Sequence, residues 1–193
     1  MKNTVFKIFF LFLVCFPANS EIKLRPITEG NVDAKIKLIV YESLTCSHCA
    51  EFHKSVYPDL KEQYIDTGLA MIEFKSFPLD LASLNASKIA HCKNDGSSEI
   101  LHFLFKNQSK WIKGNNIEEL NSNLKELVNK KKFGIDFNKC IEDKKIEDYV
   151  LEDRIEGMKK FEINATPTII INEKKFDKPL TLKNLKKFLE KLI

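Results

Sequence analysis

Two cysteines separated by two residues, Cys46 and Cys49, are the side chains of this sequence best suited to chemistry. Residues 36–41, just before them, are rich in β-branched and aromatic types, which is typical of a buried strand. Apolar residues then recur at helical spacing up to Leu60, so the pair lies on the first turn of a helix. On such a turn the two sulfurs come close enough to form a bond.

A helix start also favours a reactive form of Cys46. The free backbone N–H groups and the helix dipole stabilise an anion there, and the thiolate is the form of cysteine that attacks disulfides. The alternative is half of a zinc site, which would need a second close pair of cysteine or histidine ligands. The sequence contains no second pair of that kind. The motif therefore favours redox chemistry.

The N-terminal residues resemble an export signal. Lys2 and Lys7 form a basic start, residues 8–16 are a continuous apolar run, and small residues precede Glu21. We predict a signal peptide, residues 1–20, that is cleaved before Glu21. An uncleaved anchor is the alternative, although the apolar run is shorter than the roughly 20 residues of a membrane-spanning helix.

The composition describes an ordinary folded domain with a weak charge. The formal net charge of the 193 residues is +4, and it falls further if Lys2 and Lys7 are removed with the signal peptide. Acidic and basic residues alternate along the chain, so a solvated mixed surface is expected and nucleic acid is not expected as a partner. The length suits one domain, or one domain with an insertion.

The remaining cysteines predict a second disulfide. Cys46, Cys49, Cys92 and Cys140 are left after cleavage, and an even number in an exported protein is compatible with two bonds. Because Cys46 and Cys49 are neighbours on one turn, we predict a structural bond between Cys92 and Cys140. Two buried free thiols are the alternative.

The order of elements predicts an α/β fold with a helical interruption. Residues 69–77 form a second strand after the first helix, which makes a βαβ unit with parallel strands. Residues 21–33 are a polar lead-in, predicted to be irregular. A helical region follows the second strand, with predicted helices at 81–92, 97–111, 117–128 and 145–158 and a short helix that contains Cys140 and begins at Asp136. Its aromatic residues, Phe103, Phe105 and Trp111, are predicted to pack in the core and not to bind a ligand.

Strand character returns near the C-terminus. Residues 168–171 are Ile-rich, a hairpin turn follows, and Thr181 precedes a final amphipathic helix. Two parallel strands alone cannot cover their faces, so the two sheet-forming ends of the chain need each other. We therefore predict one sheet domain built from residues 21–80 and 154–193, with residues 81–153 as an all-helical insertion.

A second motif lies directly before the Ile-rich strand. Pro167 follows Thr166 at the start of a predicted central strand, a position that indicates a special backbone such as a cis peptide bond. Together with residues 40–49, which include Cys-Ser-His-Cys, and residues 74–79, this motif resembles the DsbA-type thioredoxin-fold oxidoreductases that many bacteria export. The resemblance covers the chain from about residue 33 to its C-terminus.

The resemblance implies a thioredoxin fold with an inserted helical domain and a periplasmic thiol–disulfide oxidoreductase. It implies that Cys46 is the attacking sulfur and that Cys49 resolves the mixed disulfide. A cis Pro167 would pack against these cysteines, and the Thr166 backbone would pair with an extended, cysteine-containing substrate protein. The redox-active disulfide would serve without a cofactor or a metal, and a membrane or soluble redox partner would recycle it.

Three positions depart from the family pattern or leave alternatives. Ser47 replaces the commonest residue, proline, which affects the strength of oxidation. Thioredoxins bury an acid near Val40, where this chain has none, and Glu42 shares the strand parity of Val40. Glu42 is therefore a candidate proton relay for Cys49, the alternative being an exposed strand-end glutamate. His48 is a candidate cation beside the Cys46 thiolate, or an exposed loop histidine.

Three functions fit these residues. A disulfide donor to newly exported proteins is the first. A disulfide reductase or isomerase is the second, although isomerases of this fold usually have an N-terminal dimerisation segment and residues 21–33 are short for one. A module that binds a soft cation such as Cu(I) through the cysteine pair is the third, with His48 and His53 as the nearest further ligands. His53, His91 and His102 are otherwise predicted to be ordinary surface or core histidines.

Overall fold

The structure is a computed structural model that describes residues 23–193. The predicted signal peptide, residues 1–20, and its cleavage before Glu21 lie outside the described residues. Within residues 23–193, no helix is both long enough and apolar enough to cross a membrane.

One mixed sheet of five strands lies at the centre of the described part of the chain. The strands are β1 (Ile27–Gly30), β2 (Ile36–Glu42), β3 (Ala70–Ser76), β4 (Thr168–Ile171) and β5 (Lys174–Lys175). Their order across the sheet is β1-β3-β2-β4-β5. β2 and β3 are parallel, as the βαβ pattern predicts, and the other neighbours are antiparallel. The N-terminal and C-terminal parts of the chain therefore build the sheet together.

Strand β1 corrects the prediction that residues 21–33 are irregular. It pairs with β3 along the sheet edge, and Ile27 is buried there. The strand ends at Gly30, whose φ is +91°, and a Cβ at that position would lie 2.5 Å from the Ala70 carbonyl oxygen. Four residues without alternating polarity contain too little pattern to be recognised in the sequence.

The helix after the cysteine pair is interrupted near Pro58. Helix α1 (Ser47–Ser55) ends before Val56, α2 (Tyr57–Leu60) follows, and a π-helical turn covers Lys61–Ile65. The ring of Pro58 crowds the carbonyl group one turn earlier, and its nitrogen has no hydrogen to donate, which explains why the helix is interrupted there.

The helical region is longer and more divided than the sequence predicts. Its helices are α3 (Leu81–His91), α4 (Glu99–Lys106), α5 (Gln108–Trp111), α6 (Ile117–Lys131), α7 (Phe137–Glu142) and α8 (Lys144–Phe161). The prediction of a single helix over residues 97–111 is wrong, because Asn107 interrupts it and separates α4 from α5. The side-chain amide of Asn107 donates to the Phe103 carbonyl at 2.9 Å, a local bond that competes with helix continuation.

Capping side chains begin several helices where the sequence predicts. Asp136 accepts hydrogen bonds from backbone N–H groups at the start of α7, and Thr181 does so at the start of the final helix, α9 (Leu182–Leu189). Helix α8 is continuous across the predicted boundary between residues 153 and 154. The division into two domains stays a prediction.

One large apolar core runs from the sheet into the helical region. Trp111 is fully buried in it and donates from Nε1 to the Leu104 carbonyl at 3.1 Å, which confirms core packing for this side chain. A disulfide joins Cys92 to Cys140, as predicted, and so ties the end of α3 to α7. The α/β architecture with a helical region between the sheet-forming segments matches the prediction.

Candidate active site

The Cys46–Cys49 pair lies where β2 passes into α1. Cys46 is the residue just before the first helical position, with extended backbone angles, and it is partly exposed. Cys49 is 0 % exposed, and both residues are free thiols. Only the first sulfur can therefore meet a protein substrate.

A network of hydrogen bonds holds the loop that presents Cys46. The Ser83 hydroxyl accepts from the Leu44 N–H at 2.9 Å and lies 2.7 Å from the Ser43 hydroxyl. The Thr45 hydroxyl donates to Asp80 at 2.7 Å. These contacts join the loop to the start of α3, so the first helix of the helical region positions the redox sulfur.

Gln108 binds the same loop from the other side. Its side-chain N–H groups donate to the carbonyl oxygens of Leu44 at 2.9 Å and Cys46 at 3.0 Å. The break at Asn107 gives rise to the short helix α5 on which Gln108 lies. The interruption of the helix at Asn107 therefore helps to place the Gln108 side chain against the loop that presents Cys46.

The surroundings of Cys46 favour its thiolate. The pKa of Cys46 is lowered to about 5, most of all by a hydrogen bond from the Cys49 thiol, with burial acting in the opposite direction. Thr166 and the backbone N–H groups of Cys49 and His48 contribute to the same lowering. The free N–H groups of a helix start thus act as the sequence predicts.

Cys49 has the opposite tendency. Burial raises the pKa of this thiol far above its ordinary value, and the hydrogen bond with Cys46 and the negative charge of Glu42 raise it further. The two sulfurs are therefore poised differently: Cys46 is a thiolate at neutral pH and Cys49 is a thiol.

Glu42 points into the core beside this pair. The residue is 3 % exposed, which excludes the alternative of an exposed strand-end glutamate. Its Oε2 lies 2.7 Å from His53 Nε2, whereas its Oε1 is buried without a hydrogen-bond partner among residues 23–193. The role of Glu42 as a proton relay stays a prediction.

Thr166 and Pro167 lie against the exposed sulfur. The Thr166–Pro167 peptide bond is cis, and the Thr166 carbonyl oxygen lies 3.4 Å from Cys46 Sγ. A groove of about 330 Å³ beside them is lined by His48, Phe52 and other residues. The structure thus places Thr166 and Pro167, which the sequence predicts for substrate contact, beside Cys46.

His48 is exposed on the rim of this groove. Its backbone N–H is among the groups that lower the pKa of Cys46. A role of its side-chain charge stays a prediction. Among the described residues, no group of three or more histidine, cysteine and acidic side chains is arranged to hold a metal ion.

Two parts of this site are not predicted from the sequence. Gln108 shows no signal there beyond a polar residue in an apolar helix. His53 and His102 are predicted to be ordinary histidines, although His53 contacts Glu42 and His102 contacts His53. One signal was available, because His53 lies one helical turn after Cys49 and so on the same face of α1.

Comparisons with known proteins agree with this geometry. The family model described as Thioredoxin matches residues 23–191. The solved structure of alpha-DsbA1 from Wolbachia pipientis has a TM-score of 0.78 and 32 % sequence identity, and the match covers 93 % of each chain. These matches confirm the thioredoxin fold with its helical insertion.

Two curated relatives are named for disulfide chemistry. A Rickettsia bellii protein named as a protein-disulfide oxidoreductase is 31 % identical over 81 % of this chain and 61 % of its own length. A Bacillus anthracis protein named as disulfide bond formation protein D is 30 % identical over 74 % of this chain and 68 % of its own length. The chain thus spans less than two thirds of the Rickettsia relative.

Proposed function

This chain belongs to the thioredoxin family and to its DsbA-like members, and we propose that it is an exported thiol–disulfide oxidoreductase that donates disulfides to other proteins. The observation that carries the proposal is the asymmetry of the pair. Cys46 is accessible with a pKa of about 5, and Cys49 is buried with a raised pKa. A stabilised thiolate favours the reduced form of the protein, so its disulfide tends to oxidise substrates.

The first step is attack on the oxidised pair. A substrate thiolate forms a bond with Cys46 Sγ, and the bond between Cys46 and Cys49 breaks. Cys49 leaves with the electron pair and takes up a proton, because its buried site disfavours the thiolate. Glu42, whose charge acts on Cys49 when it is ionised, would supply that proton in its protonated form.

The second step releases the product. A second substrate thiolate attacks the substrate sulfur of the mixed disulfide, a new disulfide forms in the substrate, and Cys46 leaves as a thiolate. The low pKa of Cys46 makes it a good leaving group, which speeds this step.

Substrate binding is assigned to the groove at the cis peptide bond. An extended segment of a cysteine-containing protein would pair with the Thr166 backbone and lie against Pro167. A redox partner, in the membrane or soluble, must then oxidise Cys46 and Cys49 again, since each turnover leaves both reduced.

Export to the periplasm is part of the proposal. The basic start and apolar run of residues 1–20 support it, with cleavage before Glu21. The Cys92–Cys140 bond supports it as well, since such bonds persist in oxidising compartments.

The test is an exchange assay joined to a redox titration against glutathione. The oxidised protein should convert a reduced two-cysteine peptide to its disulfide, and the pair should be reduced at a glutathione ratio at which thioredoxin-like reductases are still oxidised. A pair that stays oxidised at that ratio would indicate a reductase or isomerase. Tight binding of Cu(I) by the reduced protein, without exchange, would indicate the metal-binding alternative.

A further inference from the structure

A continuous chain of four side chains links the buried side of the cysteine pair to the surface. Glu42 Oε2 lies 2.7 Å from His53 Nε2, His53 Nδ1 lies 3.1 Å from His102 Nδ1, and His102 Nε2 lies 2.7 Å from Glu29 Oε1. The four residues come from β2, α1, α4 and β1. We call this chain, Glu42–His53–His102–Glu29, the relay.

The relay starts in a dry environment and ends at solvent. The side chains of Glu42 and His53 are 2 % and 5 % exposed, whereas that of His102 is 28 % exposed. Phe105 stacks on His53 with ring centroids 4.1 Å apart, and Tyr57 stacks on His102 at 4.7 Å. Because these rings shield the inner part, a proton that leaves Glu42 has the histidine nitrogens as its route outward.

His102 and His53 both line a cleft of about 710 Å³ between α1 and the helical region. Ala50 and His53 of α1 and Tyr57 of α2 line the cleft, whereas Phe52 and Val56 line the substrate groove, and Glu51 lies between the two and lines both. A proton could therefore enter or leave while a substrate occupies the groove.

Two arrangements of the same protons satisfy all three contacts. In the first, Glu42 is a carboxylate, His53 donates to it from Nε2, and a doubly protonated His102 donates to His53 Nδ1 and to Glu29. In the second, Glu42 is protonated and donates to His53 Nε2, His53 donates to His102 Nδ1, and His102 donates to Glu29. The two differ only by the shift of two hydrogens, one between Glu42 and His53 and one between His53 and His102.

Glu29 holds the outer end in both arrangements as a carboxylate. Burial would raise its pKa, but hydrogen bonds from His102, Ser98 and Tyr57 dominate and lower the pKa to about 2. Lys61 adds a positive charge 3.6 Å from Glu29. The other charged groups that line the cleft are Glu51, Lys54 and Lys106, and at the inner end the charge of Glu42 acts on Cys49.

We propose that His53 and His102 are positioning residues that pass protons between Glu42 and the cleft, so that Glu42 serves Cys49 as a base or as an acid. The inference rests on the proposed function in one respect, namely that Cys49 is the resolving sulfur. The unpartnered Glu42 Oε1 is free to exchange a proton with Cys49 while Oε2 stays bonded to His53.

The step that needs the relay is resolution of a mixed disulfide. The Cys49 thiol gives its proton to Glu42, and its sulfur forms a bond with Cys46 Sγ. The bond between Cys46 Sγ and the outer sulfur breaks, and the outer thiol leaves as a thiolate with the electron pair. One proton then passes from Glu42 along the relay to the cleft.

The experiment follows this step alone, with glutathione disulfide as the probe. The reduced full-length protein is mixed with the probe, quenched at short times, and analysed by mass spectrometry. Formation of the Cys46–glutathione mixed disulfide and its resolution by Cys49 are thus measured separately across a range of pH. His102→Ala and His53→Gln should leave formation unchanged and slow resolution on the order of 10²-fold, the usual contribution of proton transfer.

Two controls separate proton transfer from a structural role. Ser98→Ala removes a hydrogen bond to Glu29 that is not part of the relay. In this variant the mixed disulfide should be resolved as fast as in the unchanged protein. Added imidazole should enter the cleft and restore resolution in His102→Ala, in proportion to its unprotonated fraction. Melting temperatures of all variants show whether each is folded.

Either of two outcomes overturns the proposal. Resolution in His102→Ala at the unchanged rate and pH profile would show that the relay carries no proton. A slow variant that imidazole does not restore would assign His102 a purely structural role. A different result would separate the relay from the proposed function. If the protein does not oxidise the peptide, but resolution in His102→Ala is slow and imidazole restores it, the protein is not a disulfide donor and the relay still carries the proton.

Discussion

The Cys46–Cys49 pair and the Cys92–Cys140 pair contain the same atoms in different surroundings. The first pair shares one helical turn, its outer sulfur is partly exposed, and hydrogen bonds stabilise its thiolate. The second joins two helices across a sequence separation of 48 residues, with Cys140 buried in the core. A bond across one turn closes a very short loop, whereas a long loop constrains the unfolded chain strongly. The comparison therefore separates a bond that can be exchanged from one that holds the fold.

The largest expected effect is on activity. Cys46→Ser should reduce peptide oxidation to the uncatalysed background, because the exposed nucleophile is lost. Cys49→Ser keeps Cys46 and should accumulate mixed disulfides, which mass spectrometry detects. The matched control is the Cys92→Ser/Cys140→Ser double variant, which should still oxidise the peptide. Equal loss of activity in that control would remove the functional difference between the pairs.

The next effect is on stability. Removal of the Cys92–Cys140 bond should lower the free energy of unfolding by about 4 kcal/mol, the chain-entropy value for a loop of this size. Denaturant unfolding of Cys92→Ala/Cys140→Ala measures it, and the Cys46 thiolate absorbance serves as a check that the site is intact. Thiol counting in unreduced, unfolded Cys46→Ala/Cys49→Ala should find no free thiol. Two free thiols there would show that the bond does not form.

A smaller effect is expected on the difference in stability between the reduced and oxidised forms of the Cys46–Cys49 pair, which depends on pH. The pKa of Cys46 is about 5 in the folded reduced protein, below the ordinary thiol value of about 8.5 in the unfolded chain. A lowered pKa stabilises the folded form fully above the unfolded value, and the stabilisation is lost as the pH falls through about 5. At neutral pH we expect roughly 1–3 kcal/mol in favour of the reduced form, since solvent screens this partly exposed sulfur.

Thermal melts of both redox forms measure this difference. The reduced form should melt higher than the oxidised form at neutral pH, and the gap should narrow as the pH falls and close near pH 5. Ultraviolet thiolate absorbance gives the midpoint directly. If the titration midpoint of the thiolate lies near pH 8 and the oxidised form melts higher, the protein is a reductase and not a disulfide donor.

The smallest effect is expected from His48→Ser. Its side chain is exposed, and its backbone N–H, which helps to lower the pKa of Cys46, remains in the variant. An exposed charge acts weakly through water, so the thiolate pKa should rise by less than about one unit. The rise should diminish with added salt, which screens the charge. A rise of several units, insensitive to salt, would show that the histidine acts through a direct contact.

The sequence predicts the parts of the site that depend on local order. Cys46 and Cys49 are adjacent on one turn because of their spacing, and the start of a helix favours the thiolate wherever that helix lies. The strands at residues 36–41, 69–77 and 168–171 follow from their composition. Pro167 at a strand start indicates a special backbone for the same local reason.

Only the tertiary structure decides what surrounds the pair. Glu42, His53, His102 and Glu29 come from four separate elements, and no local pattern encodes their contact. Strand β1 is defined by its pairing with β3, not by its own residues. The contact of Thr166 with Cys46 likewise depends on the sheet, which brings the start of β4 beside the end of β2. Burial then sets the different pKa values of two identical thiols, because the cost of charging a sulfur depends on its surroundings and not on its place in the sequence.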